Sequence, residues 1–403
     1  MVKQTDFNYC NENSYALPTF GFKIHLSATI NNYQSLFSLV YPYLISEGIT
    51  FKYLNSLCAI EENFSEKESP AESGKYITIY PQNREHCQQI IGELYNLIPR
   101  EMEGIYILSD RPYRDSQVIF YRFGLILLDN ADLEDGLPTL IGPNNEKWQD
   151  YQKAYFDLPA WIEDIQGEQE FQSSYLGDNY QVLLLLKQSA GGNVYLATNK
   201  FSREQVVIKE SRPYILSSGK ITKQVLREEE WRLSQKVSNF IPKDVRKIKE
   251  WLNNYYIYEY IPGIDLLEFS NKYSLFAYTK ATPTENYYQF TQLIKCFHNL
   301  LKCVAFFHQQ DIILNDVHPN NFIVGADLRV TFIDLENSYV YDEKPLVGIY
   351  SEISPKAWNN LDGKVADCHK VGNLILYLLG RLHVDDTSTF RPNILRNLLQ
   401  QKI

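Results

Sequence analysis

The sequence contains no C-x-x-C pair, and none of its six cysteines (Cys10, Cys58, Cys87, Cys296, Cys303 and Cys368) stands near a histidine pair with zinc-ligand spacing. That excludes the common zinc modules, and in 403 residues it argues against a disulfide framework. The opening residues, MVKQTDFNYCNE, lack the apolar stretch and cleavage pattern of a secretory signal, so a cytoplasmic setting is expected. Long hydrophobic runs are also missing. The longest, Val182 to Leu186, has the size of a strand, which leaves no membrane span. Excess positive charge is absent too: the formal net charge is -10, which does not suit a nucleic-acid binder. There is no internal repeat and no low-complexity tract.

What is present is an ordinary globular composition, 44% apolar and 22% charged, in a chain too long for one typical core. At least two domains are expected, with boundaries at 1–145, 146–177 and 178–403. The first alternates strands (Phe22–Ala28, Ile49–Leu54, Lys75–Tyr80, Tyr106–Leu108, Val118–Leu128) with helices (Asn31–Ser46, His86–Ile98), an α+β pattern. Polar Glu61–Gly74 reads as a mobile loop. Residues 146–177 are rich in Gly, Pro, Asp, Glu and Gln and read as a linker.

The first domain gathers cations. Period-2 alternation puts Lys23 and His25 on one face of their strand. Lys52 and Lys75 follow on the next strands, and Arg111, Arg114 and Arg122 lie near the last turn. Only Asp110 and Asp115 stand nearby in sequence to balance them. A positive pocket with a histidine suits a bound phosphate dianion. Surface cations lying along apolar stems would give the same spacing.

From about Asp178 the chain carries the parts that phosphoryl transfer needs, in the order of a two-lobed protein-kinase-like domain. Strand Val182–Leu186 leads into a turn and a second strand, Gln188–Ala197, where Ser189 and Gly192 occupy two of three glycine positions counted back from Val194. Val206-Val-Ile-Lys209 matches the strand whose lysine contacts nucleotide phosphates. The helix Leu226–Val237 offers Glu228, Glu229 and Glu230. Glu229 is expected to pair with Lys209, because Leu233 follows it at the usual register. Glu259 and Ile261 would present backbone groups to a nucleotide base. Leu314-Asn-Asp-Val-His-Pro-Asn-Asn places Asp316 as the catalytic carboxylate and Asn321 five residues on as a metal ligand. Val330-Thr-Phe-Ile-Asp334 ends a strand on a second metal ligand. ATP or GTP with Mg²⁺ is the implied cofactor set. Glu336 stands where a glycine is usual, Asn315 where an arginine is usual, and His318 where many kinases have a lysine. Asp367 resembles the buried aspartate that braces the catalytic loop. With about 24 residues after its helix, either the C-lobe reads as abbreviated or the chain as cut short.

Taken together, Lys23-Ile-His25-Leu-Ser27, Phe51-Lys52, Gly74-Lys75-Tyr-Ile-Thr-Ile-Tyr-Pro81, Ser109-Asp-Arg-Pro-Tyr113 and Tyr121-Arg122 resemble the phosphoserine/phosphothreonine lyase domain of class III lanthipeptide synthetases. The Gly-Gly-Asn-Val-Tyr-Leu-Ala turn and the Asp-Val-His-Pro-Asn-Asn loop are similar to that family's kinase. The resemblance implies a two-step dehydratase for a ribosomal precursor peptide with a leader. The kinase would phosphorylate Ser and Thr, and the lyase would eliminate phosphate to dehydroalanine or dehydrobutyrine. It implies Lys52 as the base, His25 as the general acid and Lys23 as the stabiliser of enolate-like charge, with Lys75, Arg111 and Arg122 holding phosphate. That family continues into a cyclase domain, which finds no residues before Ile403, so a further domain or a separate partner would supply cyclisation. Oligomeric state is not legible. Two other readings fit the same residues: a peptide-binding scaffold with a degenerate kinase, and a conventional regulatory kinase with an unrelated sensor domain.

Overall fold

The computed structural model describes residues 6–151, 153–167, 173–275, 282–347 and 362–380. The chain divides into two compact units. One is built from Met1–Tyr195, Lys209–Gln224 and Lys249–Asn254, the other from Leu196–Ile208, Val225–Ile248 and Tyr255–Ile403. Both mix helices and strands.

The first unit opens with strands β1 (Phe7–Cys10) and β2 (Phe20–Leu26), helix α1 (Tyr33–Ser46), strand β3 (Phe51–Leu54) and helix α2 (Leu57–Asn63). Strand β4 (Ile77–Ile79), helix α3 (Arg84–Leu97) and strands β5 (Arg111–Pro112) and β6 (Ile119–Leu125) follow. The six strands form one antiparallel sheet in the order β1-β3-β4-β2-β6-β5. Alternation along β2 sends Phe22, Ile24 and Leu26 into a core that they share with Leu36, Val40 and Leu44 of α1 and Ile90, Ile91 and Leu94 of α3. Lys23 and His25 consequently occupy the opposite face. Helix starts follow local chemistry: Ser56 and Asn83 accept hydrogen bonds from Ala59 and His86 backbone N–H groups.

Two local expectations change. Tyr106–Leu108 is not a strand; the edge strand lies at Arg111–Pro112 instead, where the missing proline N–H faces no ladder on its outer side. Polar Glu61–Gly74 is tied down rather than loose. Asn63 donates to the Glu72 carbonyl and accepts from Gly74 N–H, and Glu68 and Ser73 are buried.

Residues 146–177, read as a linker from composition, add structure to this unit. Strands β7 (Asp132–Glu134), β8 (Leu137–Ile141) and β9 (Lys147–Gln149) make a small antiparallel sheet, and Trp148, Phe156, Leu158 and Ile162 pack against the core. The unit also recruits a distant segment. Ile215 and Leu216 join the same core, Glu66 N–H donates to Leu216 O, and Lys223 pairs with Glu66 at 3.0 Å.

Next come helix α4 (Tyr175–Asn179) and strands β10 (Tyr180–Lys187), β11 (Val194–Asn199), β12 (Gln205–Ser211), β13 (Leu216–Ser218) and β14 (Ile221–Thr222). Helix α5 (Lys223–Ser234) and strands β15 (Asp244–Glu250) and β16 (Asn253–Glu259) complete this region. Five of these strands form a sheet in the order β10-β11-β12-β16-β15.

The rest of the second unit contains strand β17 (Ile264–Asp265), helices α6 (Leu266–Lys272) and α7 (Pro283–Gln309), and strands β18 (Ile312–Ile313), β19 (Phe322–Val324), β20 (Val330–Phe332) and β21 (Tyr339–Val340), then helix α8 (Gly363–Gly380). A capping box starts α7: Thr282 and Glu285 exchange hydrogen bonds, with Pro283 at the first helical position. Leu293, Cys296, Phe297, Leu300, Cys303, Val304 and Phe307 recur at helical spacing and are buried, so α7 is the spine of this core. Residues 381–403, expected to close a short C-lobe, lie outside the described residues.

Candidate active sites

Strand register builds the first site. Lys52 on β3 pairs with Thr78 on β4, Thr78 with His25 on β2, and Lys23 of β2 with Arg122 of β6. Cross-strand partners share a face, so these residues line one side of the sheet. They bound a cavity of about 500 Å³ whose walls also include Lys75, Tyr80, Glu68, Glu72 and Asp150. Five expected residues, Lys23, His25, Lys52, Lys75 and Arg122, are thus brought together. Arg111 does not line the cavity. Its guanidinium is paired with Asp164 and donates to Gly167 O at 2.8 Å.

The positive charge is more fully balanced than the sequence suggested. Asp150 pairs with Arg122 and accepts from Leu125 N–H, and Glu72 accepts from Lys75 Nζ at 2.7 Å. The expectation that only Asp110 and Asp115 stand against the cations is corrected. Glu72, three residues before Lys75, could have been suspected. Asp150 and Asp164 reach their partners across 28 and 53 residues, and no local pattern signals that.

His25 and Asp110 are both buried, and Nδ1 of His25 lies 2.5 Å from Asp110 Oδ2. Ser109 Oγ donates to the other carboxylate oxygen at 2.7 Å. Burial lowers the His25 pKa to about 4, against the pull of Asp110. Burial would raise Asp110, but His25, Lys75 and Ser109 hold it well below the usual carboxylate range. Asp110 is therefore an anion that fixes the imidazole by Nδ1 and leaves Nε2 as its other functional nitrogen.

The two lysines differ. Burial, with Arg122 beside it, lowers Lys23 to about 7, while Nζ donates to Leu125 O at 2.9 Å. Burial also lowers Lys52, with Lys75 adding to the effect and Glu72 opposing it. Among the described residues Lys52 has no ion-pair partner; its ammonium sits 4.1 Å from the Phe7 ring centroid and 5.9 Å from that of Tyr9.

The turn between β10 and β11 is shaped by Gly192. Its φ is +136°, its N–H donates to Ser189 O, and Ser189 Oγ donates to Gly192 O at 2.8 Å. A Cβ there would collide with the Glu210 carbonyl, so glycine is required by space as well as by backbone angle. Val194 begins β11, and Lys209 is buried on β12. Arg212 donates to Ala190 O and Tyr106 O, which anchors the turn within the first unit.

In the second unit, Asp367 holds the loop that carries Asp316. Its carboxylate accepts the backbone N–H groups of Leu314 at 2.7 Å and Asn315 at 3.0 Å, and His308 Nε2 lies 3.1 Å away. Asn315 has φ +62°, a conformation asparagine tolerates. It receives Lys370 Nζ on its carbonyl and donates to Asn337 O. Asn321 Nδ2 donates to the Asp316 carbonyl at 3.0 Å, which leaves its amide oxygen for a cation. The Asn321 backbone O in turn accepts from the N–H of Ile333, the neighbour of Asp334, at 2.9 Å, which sets Asn321 between Asp316 and Asp334; burial raises the Asp316 pKa, and the charge of Asp334 adds to this. These three offer oxygen donors alone, the chemistry that suits Mg²⁺.

Helix α5 presents a different glutamate from the one expected. Glu229 is held by Arg232, which also pairs with Glu343 at 2.7 Å. Glu230 is buried and faces Asp334 and Glu336, with one oxygen of each within 4.8 Å of the others. Arg227 lies among the three. Sequence reasoning missed Arg227 and the role of Glu230; their i,i+3 spacing was the available signal. At the β16 end, Glu259 N–H donates to Lys243 O at 2.9 Å, so of the two backbone groups expected to face a base only the carbonyl is left. Ile261 follows it in the sequence. Among the described residues, no helix is long and apolar enough to cross a membrane.

Residues 2–173 match the family model described as RamC, N-terminal domain. Over 341 residues, 81% of this chain and 36% of the relative, the sequence is 28% identical to a probable SapB synthase of Streptomyces coelicolor. Over 198 residues, 48% of this chain and 20% of the relative, it is 25% identical to the serine/threonine-protein kinase PknD of Protochlamydia amoebophila. The chain spans about a third of the first relative's length and about a fifth of the second's.

Proposed function

We propose, from the match of residues 2–173 to the RamC N-terminal domain model, the similarity to a probable SapB synthase and the resemblance to class III lanthipeptide synthetases, that this protein dehydrates Ser and Thr of a ribosomal precursor peptide in two steps. The observation that carries the reading is the convergence of Lys23, His25, Lys52 and Arg122 on one sheet face around a single cavity.

In the first step Asp316 accepts the proton of the peptide hydroxyl as its oxygen takes the terminal phosphoryl group. A raised pKa suits a base that must hold that proton. Asn321 and Asp334 would hold Mg²⁺, which with ATP or GTP supplies charge neutralisation and the phosphoryl donor. Lys209, Ser189, Gly192, Val194, Glu259 and Ile261 are assigned to the nucleotide. Glu230 takes the helix position first given to Glu229.

In the second step the phosphate is the leaving group. Lys52, its pKa lowered by burial, removes the Cα proton. The electron pair forms the Cα=Cβ bond, the Cβ–O bond breaks, and His25 protonates the departing phosphate oxygen from Nε2. An arriving phosphate dianion raises the His25 pKa and so loads that nitrogen with a proton. Lys23 and Arg122 stabilise the developing charge, and Lys75 assists in holding phosphate. Arg111, engaged by Asp164, is given no contact with phosphate in this step. The completed peptide would pass to a cyclase domain or partner.

The test is intact-mass analysis of a Ser/Thr-rich peptide with nucleotide and Mg²⁺. The parent protein should remove one water per modified residue. Lys52→Ala should accumulate phosphopeptide, and Asp316→Asn should leave the peptide untouched. Full dehydration by Lys52→Ala would refute the base assignment, and phosphorylation by Asp316→Asn would refute the kinase reading. The ion pair between Arg227 and Asp334 favours one other reading, a degenerate kinase that only binds peptide. Nucleotide-dependent thermal stabilisation without transfer would select it.

A further inference from the structure

Helix α5 and the segment after β20 meet in a cluster of four charges. Arg227 and Glu230 are one helical turn apart, and Arg227 Nη1 lies 2.6 Å from Glu230. Asp334 and Glu336 stand two residues apart just after β20, while Leu335 between them is buried in the core. The same Nη1 lies 3.2 Å from Asp334 and 3.0 Å from Glu336.

Three carboxylates this close form a group that could take a metal ion. Left alone, they would repel one another or attract a divalent cation. A guanidinium stands at their centre instead. The arrangement is also graded in depth. Side-chain exposure is 4% for Arg227 and Glu230, 10% for Glu336 and 22% for Asp334. Asp334 is the open edge of a cluster whose other members are enclosed.

We propose that Arg227 is a positioning residue that takes the place of a metal ion in this cluster, balancing Glu230 and Glu336 so that Asp334 is the one carboxylate presented to the metal–nucleotide. The proposal rests on the phosphoryl-transfer reading of Asp316, Asn321 and Asp334. It explains why Glu336 is compatible with a working site where a glycine is usual. The added negative charge is matched by a cation from the facing helix. The cluster then takes its metal together with nucleotide, because the phosphates supply the remaining oxygen ligands.

The experiment uses Mn²⁺ as the probe, with free ion measured by electron paramagnetic resonance in the absence of nucleotide and peptide. The parent protein should bind Mn²⁺ weakly. Arg227→Gln keeps the side chain's approximate shape but removes its charge, and should create a nucleotide-independent site tightened about 10- to 100-fold, the scale on which neighbouring groups tune metal affinity. Its melting temperature should fall without metal and recover with Mn²⁺. Arg227→Lys keeps a cation and should behave like the parent. Adding Glu336→Gln to Arg227→Gln should weaken the new site again.

A packing role alone predicts something else: Arg227→Lys and Arg227→Gln would both lose stability and neither would respond to Mn²⁺. That result, or equally tight nucleotide-independent Mn²⁺ binding by the parent, overturns the proposal. Failure of the kinase reading is separate, since it shows as phosphorylation surviving Asp316→Asn.

Discussion

Nδ1 of His25 lies 2.5 Å from the Asp110 carboxylate, with both side chains buried. The pair fixes which nitrogen of the imidazole is left for the substrate. Asp110→Asn keeps the shape but can turn an amide N–H toward Nδ1, which shifts the proton to Nε2 in the resting state and weakens support for the charged imidazole. Elimination from a synthetic phosphopeptide should fall by about 10²- to 10⁴-fold, the usual range for a disturbed acid–base partner. Phosphorylation of unmodified peptide should continue. Unchanged elimination would show that the pair is structural.

The buried Lys23 ammonium makes a pH prediction with a definite sign. In the folded protein it titrates near 7; unfolded, it holds its proton to about 10.5. Between these values the unfolded state binds more protons, so this group's contribution to stability rises with pH. Below about pH 7 its penalty is fully present. Lys23→Met should therefore stabilise most at pH 7 and below, and its advantage should shrink toward pH 10. Melting temperatures across that range check it; a gap independent of pH would contradict the assignment.

Asp367 accepts two backbone N–H groups from the loop that carries Asp316. Asp367→Ala leaves the buried Leu314 N–H and the part-buried Asn315 N–H without that acceptor, at a cost of about 2–5 kcal/mol in stability. Phosphorylation should fall with it, while elimination from phosphopeptide persists. Denaturant titration alongside the two activity assays would separate these outcomes.

Gly192→Ala should destabilise by about 1–3 kcal/mol, because φ is +136° and the new Cβ meets the Glu210 carbonyl. Gly191→Ala next to it carries no positive φ and meets the Lys223 Cγ at 3.0 Å rather than a backbone carbonyl, so it should be milder. Equal melting temperatures for the two variants would count against this account of the turn.

Sequence spacing made much of this legible. The alternation in Phe-Lys-Ile-His-Leu put Lys23 and His25 on one face because a strand has a period of two, and the structure keeps that face. The five-residue step from Asp316 to Asn321 is a local pattern, whereas the strand read as ending at Asp334 stops at Phe332, two residues short of the carboxylate. The expectation for Arg111 illustrates the limit. A cation beside a turn looks available until its partner is known, and Asp164 is 53 residues away in a stretch read as linker. Glu229 illustrates another. Three consecutive glutamates differ by about 100° each around a helix, and only the facing segment decides which one is buried.

By itself, the sequence determined the α+β character of the first domain and the shared face of Lys23 and His25, which depends only on short spacing. Tertiary structure decided the partners. It assigned Asp150 to Arg122, Asp164 to Arg111 and Ile215 and Leu216 to the N-terminal core, and it set Arg227 among Glu230, Asp334 and Glu336. The reason is physical. Periodicity is a property of one segment, whereas ion pairing and burial belong to two segments at once and leave no trace in either alone.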